Sequence, residues 1–251
     1  PVPYWVSYGE QVKLAEGVPV FVRGEEANEF KVTVEQLEAA RSEKTKAVII
    51  NSPSNPTGMI YTKEELLAIG KWAVANNILI VADDIYGRLV YNGNEFTPIA
   101  TLGEAIREQT IIINGVSKTY AMTGWRIGYA VGNQAIIDGM ITIASQSTSN
   151  PTAVSQYAAV EALRGEQDTV EEMRQAFEER LNRLYPLVAA LPGVKLAKPQ
   201  GAFYLFPNVK ETLTICGYSN VTEWVEDLLE ETGVALVTGE GFGASENVRL
   251  S

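Results

Sequence analysis

Histidine is absent from this chain of 251 residues, and cysteine occurs once, at Cys216. The first absence removes Ser-His-Asp and Cys-His nucleophile systems together with the commonest transition-metal ligand. Chemistry here has to run on Lys, Asp, Tyr, Arg or a bound cofactor, and no metal site is expected. A single cysteine excludes an internal disulfide framework and points to a reducing compartment, the cytoplasm. No apolar run approaches the roughly 18 to 20 residues of a membrane-spanning helix; the longest are short, such as Ile78-Leu79-Ile80-Val81-Ala82. Basic residues are scarce as well, with 20 Lys+Arg against 31 Asp+Glu and a net charge of -11. That balance argues against nucleic-acid and anionic-membrane partners, while leaving room for a local basic pocket that captures an anion. Apolar residues are plentiful at 46%, which is enough for a packed globular core.

The chain opens Pro1-Val2-Pro3-Tyr4-Trp5 without an initiator Met and stops at Val248-Arg249-Leu250-Ser251 in strand-like sequence. A piece of a longer protein is therefore expected. From about Pro19 to Val131 short apolar runs alternate with helical patterns, the signal for an α/β fold. Strands are expected at Ala47–Ile50, Ile78–Ala82, Ile111–Ile113 and Arg126–Val131. The last follows its neighbour too closely for an ordinary crossover and should run antiparallel. Thr62-Lys63-Glu64-Glu65 has the form of a capping box, ahead of an amphipathic helix running to Val74. Beyond Asn150 helices are expected at Ser155–Arg164 and, long and charged, from Thr169 to about Leu191. Short strands at Val194–Ala197 and Ala202–Phe206, a helix at Asn220–Thr232 and strands near Val234–Val237 and Asn247–Leu250 complete the pattern. The expected fold is α/β: a mixed, mostly parallel sheet with helices on both faces (1–178), plus a smaller, incomplete α+β domain (179–251).

In open α/β sheets ligands gather outside the carboxyl ends of the strands. Asn55 follows the first strand, Asp83 and Tyr86 the second, Ser117 and Lys118 the third. Taken singly each has an ordinary explanation: turn chemistry for Asn55, a cap for Asp83, a half-buried aromatic for Tyr86, a solvated cation for Lys118. Taken together they describe a site. A lysine at the mouth of an apolar pocket has its amine freed for Schiff-base chemistry. Pyridoxal phosphate needs such a lysine, an acid against its pyridine nitrogen, and hydroxyls or cations for its phosphate. Asp83, Lys118, Ser117 and Arg126 supply those parts.

The sequence resembles the class I, fold-type I pyridoxal-phosphate-dependent aminotransferases, in particular bacterial aspartate aminotransferase-like enzymes. The resemblance rests on Pro3-Tyr4-Trp5-Val6-Ser7-Tyr8, Asn51-Ser52-Pro53-Ser54-Asn55-Pro56-Thr57-Gly58, Ala82-Asp83-Asp84-Ile85-Tyr86, the block from Ser117-Lys118 to Gly124-Trp125-Arg126-Ile127-Gly128, and Val248-Arg249-Leu250-Ser251. It implies that Trp5 stacks on the cofactor ring, that Asn55 and Tyr86 hydrogen-bond its phenolic oxygen, and that Asp83 pairs with the pyridinium nitrogen. Lys118 carries the cofactor and shuttles the substrate's α-proton, Ser117 and Arg126 hold the phosphate, and Arg249 takes the substrate α-carboxylate, with Asn55 also counted among the substrate-binding residues. The implied reaction moves an amino group between L-aspartate and 2-oxoglutarate, ping-pong through pyridoxamine phosphate, in a homodimer.

The chain departs from the family pattern in two places. Gly115 stands where many relatives carry a hydroxyl three positions before the lysine, and Asp84 stands where Glu is more usual. The family's phosphate turn and side-chain reader are expected upstream of Pro1, so this piece by itself is expected not to transaminate. Alternatives are an aromatic- or alanine-type transaminase, a β-lyase on the same scaffold, or the ligand-sensing domain of a transcription regulator. Gly239-Glu240-Gly241-Phe242-Gly243 does not match a dinucleotide fingerprint and reads as a loop. Ser145-Gln146-Ser147-Thr148-Ser149-Asn150 reads either as a solvated loop or as a segment near a partner subunit's site.

Overall fold

Apolar β-branched runs pair into one sheet, the first two strands ending at the same level of the register. In the computed structural model, which describes Pro1–Ser251, the first elements are helices α1 (Ser7–Leu14) and α2 (Val34–Ala40) and strand β1 (Ala47–Asn51). Helix α3 (Lys63–Ala75), strand β2 (Leu79–Asp83), helix α4 (Glu104–Glu108) and strands β3 (Thr110–Gly115) and β4 (Gly128–Val131) follow. Then come α5 (Gln134–Ser147), α6 (Ala153–Arg164), α7 (Asp168–Ala189), α8 (Lys210–Cys216), α9 (Val221–Thr232), β5 (Val237–Thr238) and β6 (Val248–Arg249).

The chain forms two compact units. The sheet unit comprises Arg41–Pro53 and Ile60–Ala176; the terminal unit comprises Pro1–Ala40, Ser54–Met59 and Phe177–Ser251. The division falls inside α7, and it places the first forty residues with the last segment of the chain.

In the sheet unit the strand order is β1-β2-β3-β4, with the first two pairings parallel and β3–β4 antiparallel. The mixed sheet expected from the short β3–β4 connection is present. Ile50, Ile80 and Ala82 are almost wholly buried, as strands covered by helices require. The capping box holds α3: Glu65 N donates to Thr62 Oγ1 at 3.2 Å, and Thr62 N donates to Glu65 Oε2 at 2.7 Å. Behind it Leu66, Ile69, Trp72 and Ala73 turn one buried face inward. The charged α7 carries its expected ion pairs, since Arg174 forks onto Glu171 at 2.9 and 2.8 Å and holds that carboxyl down near 2.

The terminal unit is built on Val209, Leu213, Val221, Val225 and Val248, with Phe206, Phe242 and Ala244 in a second cluster. Asn220 caps α9, accepting from Glu223 N at 2.9 Å. Three expectations need correction. Val194–Ala197 and Ala202–Phe206 are not strands; they meet neighbours only at isolated bridges, Lys195 with Asn208 and Leu205 with Leu250. Ala202, at φ 60, breaks the extended path that the apolar pattern suggests. Arg126 and Ile127 precede β4 rather than belonging to it, because Arg126 is left-handed at φ 54. Ser145–Ser147 close helix α5 instead of forming a loop, their hydroxyls bonded back to carbonyls one turn earlier. The Gly239–Phe242 segment is a single 3-10 turn, as its failure to match a nucleotide motif suggested.

Candidate active site

The register Asn51, Asp83, Ile113 runs across β1, β2 and β3; β1 and β2 end at that level, and β3 runs on to Gly115, two residues before Ser117. Asp83 is held from two sides. Asn51 Nδ2 donates to its carbonyl at 2.9 Å, and its own Oδ1 accepts from Ile85 N at 3.2 Å. That short turn directs the carboxylate before Tyr86, which is buried with 3% of its surface exposed. Lys118, half-buried beyond the end of β3, places Nζ 5.9 Å from the centroid of the Tyr86 ring. Ser117, half-buried, precedes it. Arg126, exposed, donates from Nη1 to Thr123 O at 2.9 Å, which closes its loop on itself.

Gly115 has a steric reason. A Cβ there would lie 2.8 Å from Ile127 O and 3.1 Å from Gly128 Cα, so the turn into β4 passes where a side chain would sit. A side chain at this position would have to displace the backbone of that turn.

In the terminal unit Arg249, on β6, donates from Nη1 to Asn55 Oδ1 at 3.0 Å. Its guanidinium lies 4.6 Å from the Tyr204 ring centroid and 5.0 Å from that of Phe242. Two aromatic faces steady the cation without consuming its donors. Arg249 Nε is buried and has no partner. Asn55, itself buried, sits in a loop clamped at Gly58, whose carbonyl accepts from both Gln200 N and Gly201 N at 2.9 Å. Trp5 in the same unit is 37% exposed and packs edge-on against Tyr8 at 5.4 Å. Tyr204, Phe242 and the Gln200-Gly201 clamp escaped sequence reasoning, because aromatic and glycine residues in an apolar stretch look like core and turn.

The family model for class I and II aminotransferases matches residues 1–251. The chain belongs to that family. The asparagine–oxo-acid transaminase of Streptococcus mutans is 67% identical over 251 residues, and the aspartate aminotransferase of Bacillus subtilis is 57% identical. Each alignment covers 100% of this chain and 64% of the relative, so the chain spans somewhat less than two thirds of the length of these curated proteins. Among solved structures, the aspartate aminotransferase of Rhizobium meliloti matches with a TM-score of 0.93 at 37% identity, covering 100% of this chain and 64% of that one. Both the fold and the recognised family are thereby shown.

Pyridoxal phosphate is the cofactor of this family. The sheet unit's donor set fits it: a half-buried amine, a carboxylate fixed at a strand end, a phenol, a hydroxyl and a guanidinium. No helix is long and apolar enough to cross a membrane, and no cluster of His, Cys, Asp and Glu is arranged to hold a metal ion.

Proposed function

We propose that the protein is a pyridoxal-phosphate-dependent aminotransferase that uses L-aspartate as donor and 2-oxoglutarate as acceptor, by a ping-pong cycle. The observation that carries this reading is Lys118 beside Tyr86 beyond the strand ends that also fix Asp83, in a chain that matches the aminotransferase family from end to end. When bound, pyridoxal phosphate supplies an aldehyde that exchanges amino groups and a ring that draws electrons from the substrate α-carbon.

The residues do the rest. Lys118 Nζ would take up the substrate's α-proton, since a positioned amine within reach of the reacting carbon serves as a general base. Asp83 keeps a negative charge against the pyridine nitrogen, so that its proton stays in place. From the sheet unit Tyr86 would donate to the phenolic oxygen and Ser117 and Arg126 would bind the phosphate; from the terminal unit Asn55 would serve the phenolic oxygen and Trp5 would stack on the ring. Arg249 presents a planar fork that suits a carboxylate better than an ammonium would, and Asn55 holds that fork in orientation. We place the working division of the protein at about residue 178, with cofactor-binding groups before it and the carboxylate-binding arginine after it. A homodimer in the cytoplasm is the assembly this reading expects.

Two measurements test it. Borohydride reduction followed by peptide mapping should put the label on Lys118, and a label on another lysine would sink the assignment. Half-reactions with a panel of amino acids should rank aspartate first. Asparagine is the competing donor, favoured by the 67% identity to the asparagine–oxo-acid transaminase of Streptococcus mutans; a faster half-reaction with asparagine would replace the aspartate reading.

A further inference from the structure

Asp83 is followed by a second carboxyl that the proposed reaction does not use. Asp84 N donates to Ile113 O at 2.9 Å and thereby adds one rung to the β2–β3 ladder. Side chains alternate across a sheet, so Asp83 shares a face with Ile113 and Ala130, and Asp84 points to the opposite face. The Asp84 N to Ile113 O bond is the one that a residue opposite Asn114 makes in a parallel ladder, and Asn114 pairs with Tyr129 of β4. Asp84 is 7% exposed. The charged and titratable groups that face it are Asp83 on its own strand and Tyr129 on β4, with Tyr120 of the loop after β3 beside Tyr129. Asn114 of β3 is neutral, its Oδ1 taken by Gly115 N at 2.7 Å. No cation stands among them.

We propose that Asp84 is a positioning residue for Asp83: it holds a proton on the far face of the sheet, so that the two adjacent carboxyls carry one negative charge, located on the cofactor's side. The inference rests on the proposed cofactor role of Asp83. Two ionised carboxyls on successive residues would repel each other, and the buried one has no counter-ion to repay its lost hydration. Burial, and after it the charge of Asp83, pushes the Asp84 carboxyl from 3.8 up to about 7. Tyr129 is pushed up by burial first, then by Tyr120 and Asp84, which agrees with the row that the register describes. Below neutrality Asp84 is thus uncharged beside Asp83. Above it a second anion arrives behind the sheet and strengthens the hold on a proton at the pyridine nitrogen.

The sign of the linked stability follows from these positions. In the unfolded chain Asp84 loses its proton in the ordinary aspartate range, whereas in the fold it keeps it to about 7. Its contribution is complete below the ordinary range and is lost as pH rises through about 7. The test uses Asp84→Asn, a neutral isostere, and Asp84→Glu, which keeps the titration. Melting temperatures without added cofactor are recorded from pH 4.5 to 8.5, and the visible absorbance of the protein with added pyridoxal phosphate is titrated over the same range. The parent should lose about 5 °C relative to Asp84→Asn between the acid and alkaline ends of that range. The absorbance should show a step near neutrality that Asp84→Asn removes and Asp84→Glu retains. Parallel melting curves for parent and Asp84→Asn, or a uniform loss in the variant at every pH, would overturn the proposal. So would an absorbance titration that Asp84→Asn leaves unchanged. Failure of the borohydride label at Lys118, with the melting difference intact, would count against the cofactor reading and not against the proton on Asp84.

Discussion

The two units secure their charged groups by opposite means. In the sheet unit backbone register does the positioning: Asp83 is fixed by a strand end, one hydrogen bond from Asn51 and a turn of its own. In the terminal unit Arg249 sits on a two-residue strand and owes its orientation to side chains, namely the Asn55 amide and the Tyr204 and Phe242 rings. A parallel ladder specifies its ends from local pattern, whereas a guanidinium between rings depends on contacts between distant parts of the chain. The comparison teaches that the first kind of site tolerates surface change and the second is exposed to any shift in its supporting loops.

The largest effects should come from the sheet unit's chemistry. In the full-length protein Lys118→Ala should remove the borohydride label and reduce transamination to background, because no other amine at that edge can replace it. Asp83→Asn should lower kcat on the order of 10²- to 10³-fold, against a much smaller loss for Asp84→Asn; equal losses would mean that the wrong acid has been chosen. In the terminal unit Arg249→Lys should raise KM for the amino acid about 10- to 100-fold, since charge-assisted hydrogen bonds are worth about 1.5 to 3 kcal/mol each and an ammonium cannot fork. An unchanged KM would remove Arg249 from the carboxylate role.

Smaller changes sharpen the contrast in backbone. Gly58→Ala, at φ 70 with a Cβ that would meet Pro199 Cβ at 2.7 Å and Gly201 O at 2.8 Å, should destabilise more than Gly115→Ala, which meets only the second kind of obstacle. About 3 kcal/mol against about 1 to 2 is expected in denaturant unfolding, and the reverse order would show that β4 is the less yielding neighbour. Gly58→Ala should also raise KM by loosening Asn55 beneath Arg249, while Gly115→Ala should leave KM alone. The smallest effect belongs to the α3 cap: Thr62→Ala should cost about 1 kcal/mol of stability with no change in KM.

Much of the sheet unit was legible because its signals are local. Ala47–Ile50, Ile78–Ala82 and Ile111–Ile113 are continuous apolar runs, the capping residues Thr62 and Glu65 lie three apart, and the candidate residues come directly after strand ends. Even the antiparallel β4 could be inferred from a connection too short to cross over. The terminal unit was less readable, since apolar sequence such as Ala202–Phe206 has the composition of a strand while its neighbours hold it in isolated bridges. Exposed apolar residues on α5 obscured that helix, which buries no residue of its own.

By itself the sequence determined the fold class and the family pattern and pointed to Lys118 and Asp83 as candidates, because strand periodicity and the loops behind strands are encoded within a few residues of each other. Only the tertiary structure decided that Asn55 would meet Arg249 across 194 positions of chain, that Tyr204 and Phe242 would enclose the guanidinium, and that Ile127 would leave no space for a side chain at Gly115. It also decided that neighbouring Asp83 and Asp84 would part to opposite faces of the sheet, one fixed by a turn and one buried without a counter-ion. The reason is the same in each case: burial and long-range contact depend on what the rest of the chain brings to a position, and no window of sequence contains that.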